Sequence, residues 1–301
     1  MTAGGVVLRL SYEPPYDWPA MLAFFRQRAV EGVEAVEGAV YRRAVRLGDG
    51  EGTIEVTDDP GRDGLVATVR LSGGVAVDAA VFRLRRMFDL DADLAAINAH
   101  LADDPMLAPL VAARPAVRVP GGWDGFEIAM RTVIGQQVSI AAARRLNGRL
   151  VERCGGDLPH AAGGGPSRLF PTPRQVMAAD LAAMGMPGAR VAALKAVAEA
   201  ALNDPHLFSR AATVEETVAR LRAVKGIGEW TAHYIAMRAC REMDAFPASD
   251  VGLLRGAADA AGLRPRPADL LARAEAWRPW RAYAAQQIWA ADAARAVTPI
   301  G

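Results

Sequence analysis

The chain has 301 residues, 51% hydrophobic and 23% charged, and its 35 basic and 34 acidic residues give a formal net charge of +1. This length and apolar fraction allow one large or two to three small domains with real cores, and with no run of eighteen apolar residues and no secretory signal pattern we expect a cytosolic protein. The 2 cysteines and 4 scattered histidines cannot by themselves form a disulfide framework, a four-cysteine zinc site or a four-thiolate iron–sulfur cluster.

Residues 1 to about 90 have the pattern of an α+β segment. Apolar and polar residues alternate over residues 6–12, which predicts a strand, and Asp17 is placed to cap a helix whose apolar residues recur at helical spacing. Turn signals separate the later strands, so we expect an antiparallel sheet with helices. The further strands are predicted over residues 39–47, 52–56 and 65–71, and a further helix over residues 76–88.

Strand signals nearly vanish beyond Asp89, and apolar residues recur at three- and four-residue spacing, which indicates an all-helical region. Asp124 and Glu127 fit a capping box at the start of one helix, and the Gly-rich stretch 155–167 is expected to be a surface loop. The predicted helices cover residues 93–101, 124–134, 139–153, 172–184, 190–202, 213–224, 229–241 and, in one or two pieces, 267–294.

The most informative window is residues 221–232, in which one helix ends near Val224 and the next begins near Glu229. The turn Gly-Ile-Gly at residues 226–228 can take dihedrals closed to other residues and lets a ligand approach the backbone. The next helix N-terminus would attract a phosphate, so this helix–hairpin–helix pattern can bind DNA without net basic charge. An ordinary glycine-terminated turn explains the spacing equally well, and a weaker echo at residues 185–190 is best interpreted as such a turn.

An aspartate follows this window in the loop of residues 246–252, Phe-Pro-Ala-Ser-Asp-Val-Gly. Taken alone, Asp250 at the head of a helix would simply be an N-cap. A helix–hairpin–helix followed at this distance by a Pro-rich loop ending in Asp, however, resembles the signature of the helix–hairpin–helix DNA glycosylase superfamily. The resemblance implies that Asp250 is catalytic.

Nearly the whole chain resembles the bacterial 3-methyladenine DNA glycosylase II family. This resemblance implies an α+β fold, in which a TATA-binding-protein-like antiparallel sheet with helices precedes a mostly α-helical glycosylase core of two subdomains, with no appended methyl-transfer or regulatory domain. The segments that carry it are residues 12–18, 28–30, 85–90, 134–139, 170–173, 185–187 and 277–283. The expected domains are residues 1–90, residues 91–125 with 243–301, and residues 126–242, which carry the hairpin.

The resemblance implies an enzyme that flips a damaged base out of DNA and hydrolyses its bond to the sugar. Asp250 would stabilise the positive charge that develops on the sugar, or orient the attacking water. An alkylated purine carries positive charge itself, so aromatic faces suit its pocket. The positions that match the family's aromatic cleft are Phe24, Trp230, Tyr234 and Trp289. Trp230 and Tyr234 share a helix face, whereas Phe24 and Trp289 would by themselves be interpreted as core residues.

Three positions within these motifs bear on the chemistry. Trp230 stands where bifunctional superfamily members carry a Schiff-base lysine, which implies monofunctional hydrolysis. In the turn that meets the gap left by the flipped nucleotide, Gln137 replaces a frequent leucine, and Val251 replaces an aromatic residue after Asp250. The DNA-binding residues implied by the resemblance are Gln136, Gln137, Gly226, Ile227, Gly228 and Thr231.

No cofactor is expected to be required, although hairpins of this family bind a structural sodium or potassium ion through main-chain carbonyls. The matching positions are Arg222, Val224 and Ile227. The expected activity is excision of 3-methyladenine and 7-methylguanine type bases from duplex DNA, at the start of base-excision repair. We expect a monomer in a bacterial-type cytoplasm, associated with the nucleoid when on DNA, and no membrane partner. A glycosylase for deaminated or oxidised bases and a non-catalytic damage-binding protein are the alternatives.

Overall fold

The computed structural model describes residues 5–74, 76–158 and 165–297. The strands are β1 (Val6–Ser11), β2 (Glu34–Glu37), β3 (Val40–Leu47), β4 (Gly50–Asp59), β5 (Gly64–Leu71), β6 (Gly156–Asp157) and β7 (Arg168–Leu169). The helices are α1 (Trp18–Arg28), α2 (Val77–Phe88), α3 (Leu94–Leu101), α4 (Ala108–Ala113), α5 (Gly125–Ile134), α6 (Ile140–Cys154), α7 (Pro173–Ala178), α8 (Gly188–Asn203), α9 (Val214–Arg222), α10 (Glu229–Ile235), α11 (Val251–Gly256), α12 (Pro267–Ala274) and α13 (Arg281–Val297). Short 3-10 turns lie at Pro60–Arg62, Ala182–Met184 and Glu275–Trp277, and α10 runs into a π-helical turn, Ala236–Cys240.

The N-terminal sheet is antiparallel, with strand order β1-β5-β4-β3-β2. Helices α1 and α2 contribute Phe25 and Phe88 to its core, where both rings pack against Tyr41 of β3. The α+β prediction is therefore confirmed. The sequence did not predict strand β2, whose four residues are too few to show a clear alternation.

The helical region packs around one continuous core that extends from α3 to α13. Trp277 and Tyr283 are buried in it, and Trp280 packs half-buried against it. The single helix predicted over residues 172–184 is wrong, because α7 ends at Ala178. The ammonium group of Lys195 donates to the carbonyls of residues 176, 177 and 179. These bonds give partners to carbonyl groups that the end of the helix would otherwise leave unpaired.

The loop predicted over residues 155–167 lies partly outside the described residues, and its described ends form the short β6–β7 pair. The domain boundaries stay predictions. The sheet core takes in Trp123 from beyond residue 90, and the helical core takes in Val30 and Val33 from before it. Among the described residues, no helix is both long and apolar enough to cross a membrane.

Four charges, of which three are buried and that of Arg131 is half-buried, join the sheet to the helical region. Arg43 of β3 donates to Glu127 of α5 at 2.7 Å, and Arg131 of α5 lies 2.8 Å from both Glu127 and Glu34. Glu34 also accepts a hydrogen bond of 2.6 Å from Tyr41. Burial by itself would raise the pKa of Glu34, but the guanidinium groups of Arg131 and Arg43 outweigh it and lower that pKa.

The capping box predicted at the start of α5 is wrong in one half. Asp124 does cap the helix, since its carboxylate accepts from the backbone N–H groups of Phe126 and Glu127 at 2.9 and 3.2 Å. The Glu127 side chain does not return the bond, because it is committed to Arg43 and Arg131. The ion pairs of Glu127 with Arg43 and Arg131 have therefore replaced only the return bond of the capping box, and the cap by Asp124 remains.

Candidate functional site

A cavity of about 1030 Å³ separates α1 of the sheet region from the helical region. Helices α5, α6 and α13, and α10 with the π-helical turn after it, line its other sides. The structure brings together at this cleft the predicted catalytic residue and all the predicted aromatic residues. These are Phe24, Trp230, Tyr234, Asp250 and Trp289.

Asp250 is held by three hydrogen bonds. Its Oδ1 accepts from the indole N–H of Trp289 at 2.8 Å and from the backbone N–H of Leu253 at 3.0 Å, and its Oδ2 accepts from the indole N–H of Trp230 at 2.8 Å. The bond to Leu253 is the expected N-cap of α11, so capping and a place in the cleft coexist. Since an ionised carboxylate has about four lone-pair positions, Oδ2 keeps capacity for one more donor.

Gly252 keeps this arrangement open, and the sequence did not reveal it as a functional residue. A Cβ at this position would lie 3.0 Å from Asp250 Oδ1 and 3.1 and 3.3 Å from Trp289 Cδ1 and Nε1. Any larger residue would therefore crowd the bond between Asp250 and Trp289. The signal could only come from the fold, because Trp289 lies 39 residues beyond Asp250.

The aromatic side chains form a wall of the cleft. The rings of Trp230 and Tyr234 are stacked with centroids 5.3 Å apart, which confirms that they share a helix face. Trp289 meets Tyr234 edge-on at 6.2 Å, and Phe24 comes from α1. The indoles therefore serve twice, as apolar surface and as donors to Asp250.

Two arginines that the sequence did not single out lie against these rings. The guanidinium carbon of Arg238 is 4.6 Å from the ring centre of Phe24, 4.7 Å from that of Tyr234 and 5.7 Å from that of Trp289. Arg28 lies 4.1 Å from the ring centre of Phe24. Burial alone would raise the pKa of Tyr234, but the charges of Arg238 and Arg28 outweigh it and lower that pKa. Helical spacing could have revealed Arg238, because it follows Tyr234 by four residues, as Tyr234 follows Trp230.

The turn between α5 and α6 exposes Gln137. Gln137 has a φ of +56°, a left-handed conformation that is uncommon outside glycine, and its side chain is exposed. Gln136 instead turns inward, where its amide group donates to the carbonyl of Gly226 at 3.1 Å and to the hydroxyl of Thr231 at 3.0 Å. Gln136 therefore ties this turn to the hairpin between α9 and α10.

The two hairpin glycines differ in what they provide. Gly226 has a φ of +90°, and a Cβ there would lie 2.3 Å from that of Ala193. Gly228 has an ordinary φ of −83° and nothing within 4 Å of a Cβ, so its surface is open. The side chains of Ile227 and Thr231 are buried, which leaves only backbone groups of these residues for an external ligand. Their roles as DNA-binding residues stay predictions.

The hairpin carbonyls predicted to hold an ion have unused lone pairs. Among the described hydrogen bonds, the carbonyls of Arg222 and Ile227 accept none, and that of Val224 accepts only from Ile227 N–H at 3.1 Å. Main-chain oxygen is a suitable ligand for a hard cation. The residues therefore fit a monovalent ion, whose presence stays a prediction.

Family models match two consecutive parts of the chain. Residues 7–124 match the AlkA N-terminal domain, and residues 130–282 match the HhH-GPD superfamily base excision DNA repair protein.

Proteins of similar sequence and structure carry related names. The chain is 36% identical to DNA-3-methyladenine glycosylase 2 of Escherichia coli over 288 residues, which cover 93% of this chain and 95% of that protein. It is also 36% identical to the probable bifunctional transcriptional activator/DNA repair enzyme AlkA of Mycobacterium tuberculosis, over 96% of this chain but only 57% of that longer protein. In structure it is similar to 3-methyladenine DNA-glycosylase from Archaeoglobus fulgidus, with a TM-score of 0.81, 20% identity and coverage of 97% and 100% of the two chains.

Proposed function

Because the chain belongs to the HhH-GPD superfamily of base excision DNA repair proteins, we propose that it is a monofunctional DNA glycosylase. It hydrolyses the N-glycosidic bond of alkylated purines of the 3-methyladenine and 7-methylguanine type in duplex DNA, and so begins base-excision repair. The observation that carries the proposal is Asp250, a carboxylate fixed by two indole N–H groups in an aromatic cleft.

The cleft suits the charge changes of this reaction. When the bond between the base and C1′ of the sugar breaks, its electron pair leaves with the base and positive charge develops on the sugar. Asp250 can stabilise that charge through the free lone pair on its Oδ2. The water that then adds to C1′ releases a proton, and the products are a free base and an abasic site.

The cleft also favours hydrolysis over strand cleavage. A bifunctional mechanism needs an amine to form a Schiff base with the sugar. Among the described residues that line the cleft there is no lysine, and Lys225 lies exposed in the hairpin. Trp230 instead gives its N–H to Asp250. We therefore expect abasic sites without nicks.

Backbone groups of the hairpin and the exposed Gln137 would contact the DNA. The open surface at Gly228 allows a phosphate to approach the first N–H groups of α10. The carbonyls of Arg222, Val224 and Ile227 would hold a sodium or potassium ion, which links hairpin to phosphate. Duplex affinity should then be higher in potassium chloride than in choline chloride of equal ionic strength, and equal affinity would contradict the ion. The proposal includes a monomer acting on nucleoid DNA in the cytoplasm, which light scattering and cell fractionation would check.

The decisive experiment is release of free base from methylated duplex DNA by wild type and by Asp250→Asn. The variant should slow single-turnover release on the order of 10²–10³-fold, since it removes the charge that faces the sugar. Strand breaks should appear only after alkali. Asp93→Asn is a matched control, because Asp93 caps α3 in the same way but lies outside the cleft. Undiminished release by Asp250→Asn, or duplex binding without release by wild type, would contradict the proposal.

A further inference from the structure

Arg238 is a buried cation that has no acidic partner. Its side chain is 5% exposed, and one guanidinium nitrogen donates to the carbonyl of Pro120 at 2.7 Å. Its Nε has no hydrogen-bond partner, and none of the described ion pairs includes Arg238. Its one other polar side-chain partner among the described residues is the hydroxyl group of Tyr234.

Of the other buried arginines, Arg43 and Arg281 each pair with a carboxylate, and Arg118, whose Nε is also without a partner, donates to four backbone carbonyls. Arg238 has neither a carboxylate nor such a set of carbonyls. A buried charge is normally paired or does chemical work.

The position of Arg238 is as informative as its lack of a partner. It lines the same cavity as Asp250, and both touch Trp289: the indole N–H points to Asp250, and Arg238 lies 5.7 Å from the ring centre. Asp250 is only half-buried, whereas Arg238 is buried. One aromatic wall of the cleft therefore carries a half-buried negative group and a buried positive group.

This arrangement is aligned with the charge movement in glycosidic bond cleavage. The electron pair of the broken bond goes to the base, and positive charge goes to the sugar. A neutral base leaves as an anion, which then takes a proton from water, whereas a cationic alkylated base leaves neutral. With the sugar at Asp250 and the base on the aromatic wall, a fixed cation on the base side favours both departures.

We propose that Arg238 is a further functional residue of this reaction, which assists departure of the base by stabilising the electron pair that leaves with it. This inference rests on the proposed glycosylase function. The effect differs between substrates. For a neutral base, Arg238 stabilises the anion that forms. For a cationic base, it repels the charge already present, which weakens binding but is relieved as the bond breaks.

The test compares two duplexes, one with a single 7-methylguanine and one with a single hypoxanthine, in single-turnover base release. Arg238→Met should slow release of the neutral hypoxanthine on the order of 10²-fold, the usual cost of losing one electrostatic group from a dry site. Release of 7-methylguanine should change by less than about tenfold, with tighter binding of its duplex. Arg238→Lys keeps the charge and should restore most of the hypoxanthine rate.

Arg118→Met is a matched control for loss of packing. Arg118 is also 5% exposed, donates to backbone carbonyls and lies 4.8 Å from the ring centre of Tyr16. It lines the same cavity, but among the described ring contacts it has none with Phe24, Tyr234 or Trp289. This variant should change both rates by the same factor. If Arg238→Met does not fold, Arg238→Gln carries the test, because it removes the charge but keeps a side chain that can donate to the carbonyl of Pro120. It should lower the ratio of the hypoxanthine rate to the 7-methylguanine rate, and an unchanged ratio would overturn the role of Arg238.

The outcomes separate this inference from the function on which it rests. Equal loss of both rates in Arg238→Met, or no restoration by Arg238→Lys, would overturn the role of Arg238 alone. Wild type that releases 7-methylguanine but no hypoxanthine would overturn it too. Wild type that releases neither base would refute the proposed function itself.

Discussion

The molecule treats buried charge in two ways. Between the sheet and α5, Glu34, Arg43, Glu127 and Arg131 each lie within 4 Å of an opposite charge, and the set is neutral. On the aromatic wall of the cavity that this set also lines, Asp250 accepts hydrogen bonds only from neutral donors. Arg238 meets there a carbonyl, aromatic rings and the hydroxyl group of Tyr234. Paired charges cancel and fix geometry, whereas charges held by neutral groups keep a field that a substrate can feel.

The paired set also serves the cleft. Arg131 donates to the carbonyl of Arg28 at 2.6 Å, and Arg144 donates to that of Ala29 at 3.1 Å, so both hold the end of α1. Phe24 lies one turn earlier on α1 and reaches the cleft from there. The network thus positions a wall of the cleft without taking part in its chemistry.

The largest effect should come from breaking the paired set. Glu127→Gln leaves Arg43 buried beside one remaining carboxylate at 3.7 Å, and should lower the free energy of unfolding by about 3–5 kcal/mol. Urea unfolding would measure this. Base release per folded molecule should stay within about threefold of wild type, a change of under 1 kcal/mol.

A double variant provides the control for this prediction. Arg43→Met with Glu127→Leu removes one charge of each sign and leaves the pair of Glu34 and Arg131 at 2.8 Å, so part of the stability should return. A loss of stability below about 1 kcal/mol in Glu127→Gln would show that the paired charges contribute no more than an exposed ion pair does.

At Gly252 we expect the reverse of the effect at Glu127, namely a slower base release with little change in stability. Gly252→Ala places a methyl group 3.0 Å from Asp250 Oδ1 and should slow base release about tenfold, the effect of about 1.4 kcal/mol on the barrier. Unfolding free energy should change by less than about 1 kcal/mol, because the surrounding core is untouched. Gly188→Ala, also in the first turn of a helix but with nothing within 4 Å, should have no effect on the rate. An unchanged rate in Gly252→Ala would show that the bond to Trp289 is not needed.

The smallest expected effect is the dependence of the unfolding free energy on pH. Burial lowers the pKa of His233 below the usual histidine value of 6.5, although Glu229 acts in the opposite direction. The unfolded chain then binds the proton more readily, so stability is greatest above about pH 6.5 and falls as pH drops below it. The pKa of Glu34 lies below its usual value of 4.5, so this carboxylate does not contribute to a change between pH 7 and pH 5.

Unfolding measured between pH 7 and pH 5 should therefore show a loss of under about 1 kcal/mol that disappears in His233→Gln. If the same loss of stability persists in His233→Gln, groups other than His233 cause it.

Much of the site was accessible from local sequence. Trp230 and Tyr234 share a face because they are four residues apart, and Asp250 caps a helix because it precedes one. Gly226 was marked by the turn, and its positive φ bears this out. The family resemblance added Phe24 and Trp289, which periodicity alone would have assigned to the core.

Other features depend on chain segments far apart in sequence. Arg43 and Glu127 are 84 residues apart, and their pairing removed the capping box that local spacing predicts at Asp124. Lys195 ended α7 by binding carbonyls 16 to 19 residues away. Neither contact leaves a periodic signal, since each depends on how elements pack rather than on spacing within one element.

By itself the sequence determined the α+β order, the hairpin, the placement of Asp250 and the family, because these follow from spacing along the chain and from motifs. Tertiary structure alone decided that Gly252 makes room for the bond between Asp250 and Trp289, and that Arg238 lies unpaired against Phe24, Tyr234 and Trp289. The physical reason is that sequence gives the type and order of charged groups, whereas the strength of a charge depends on which partners and how much water the fold leaves around it.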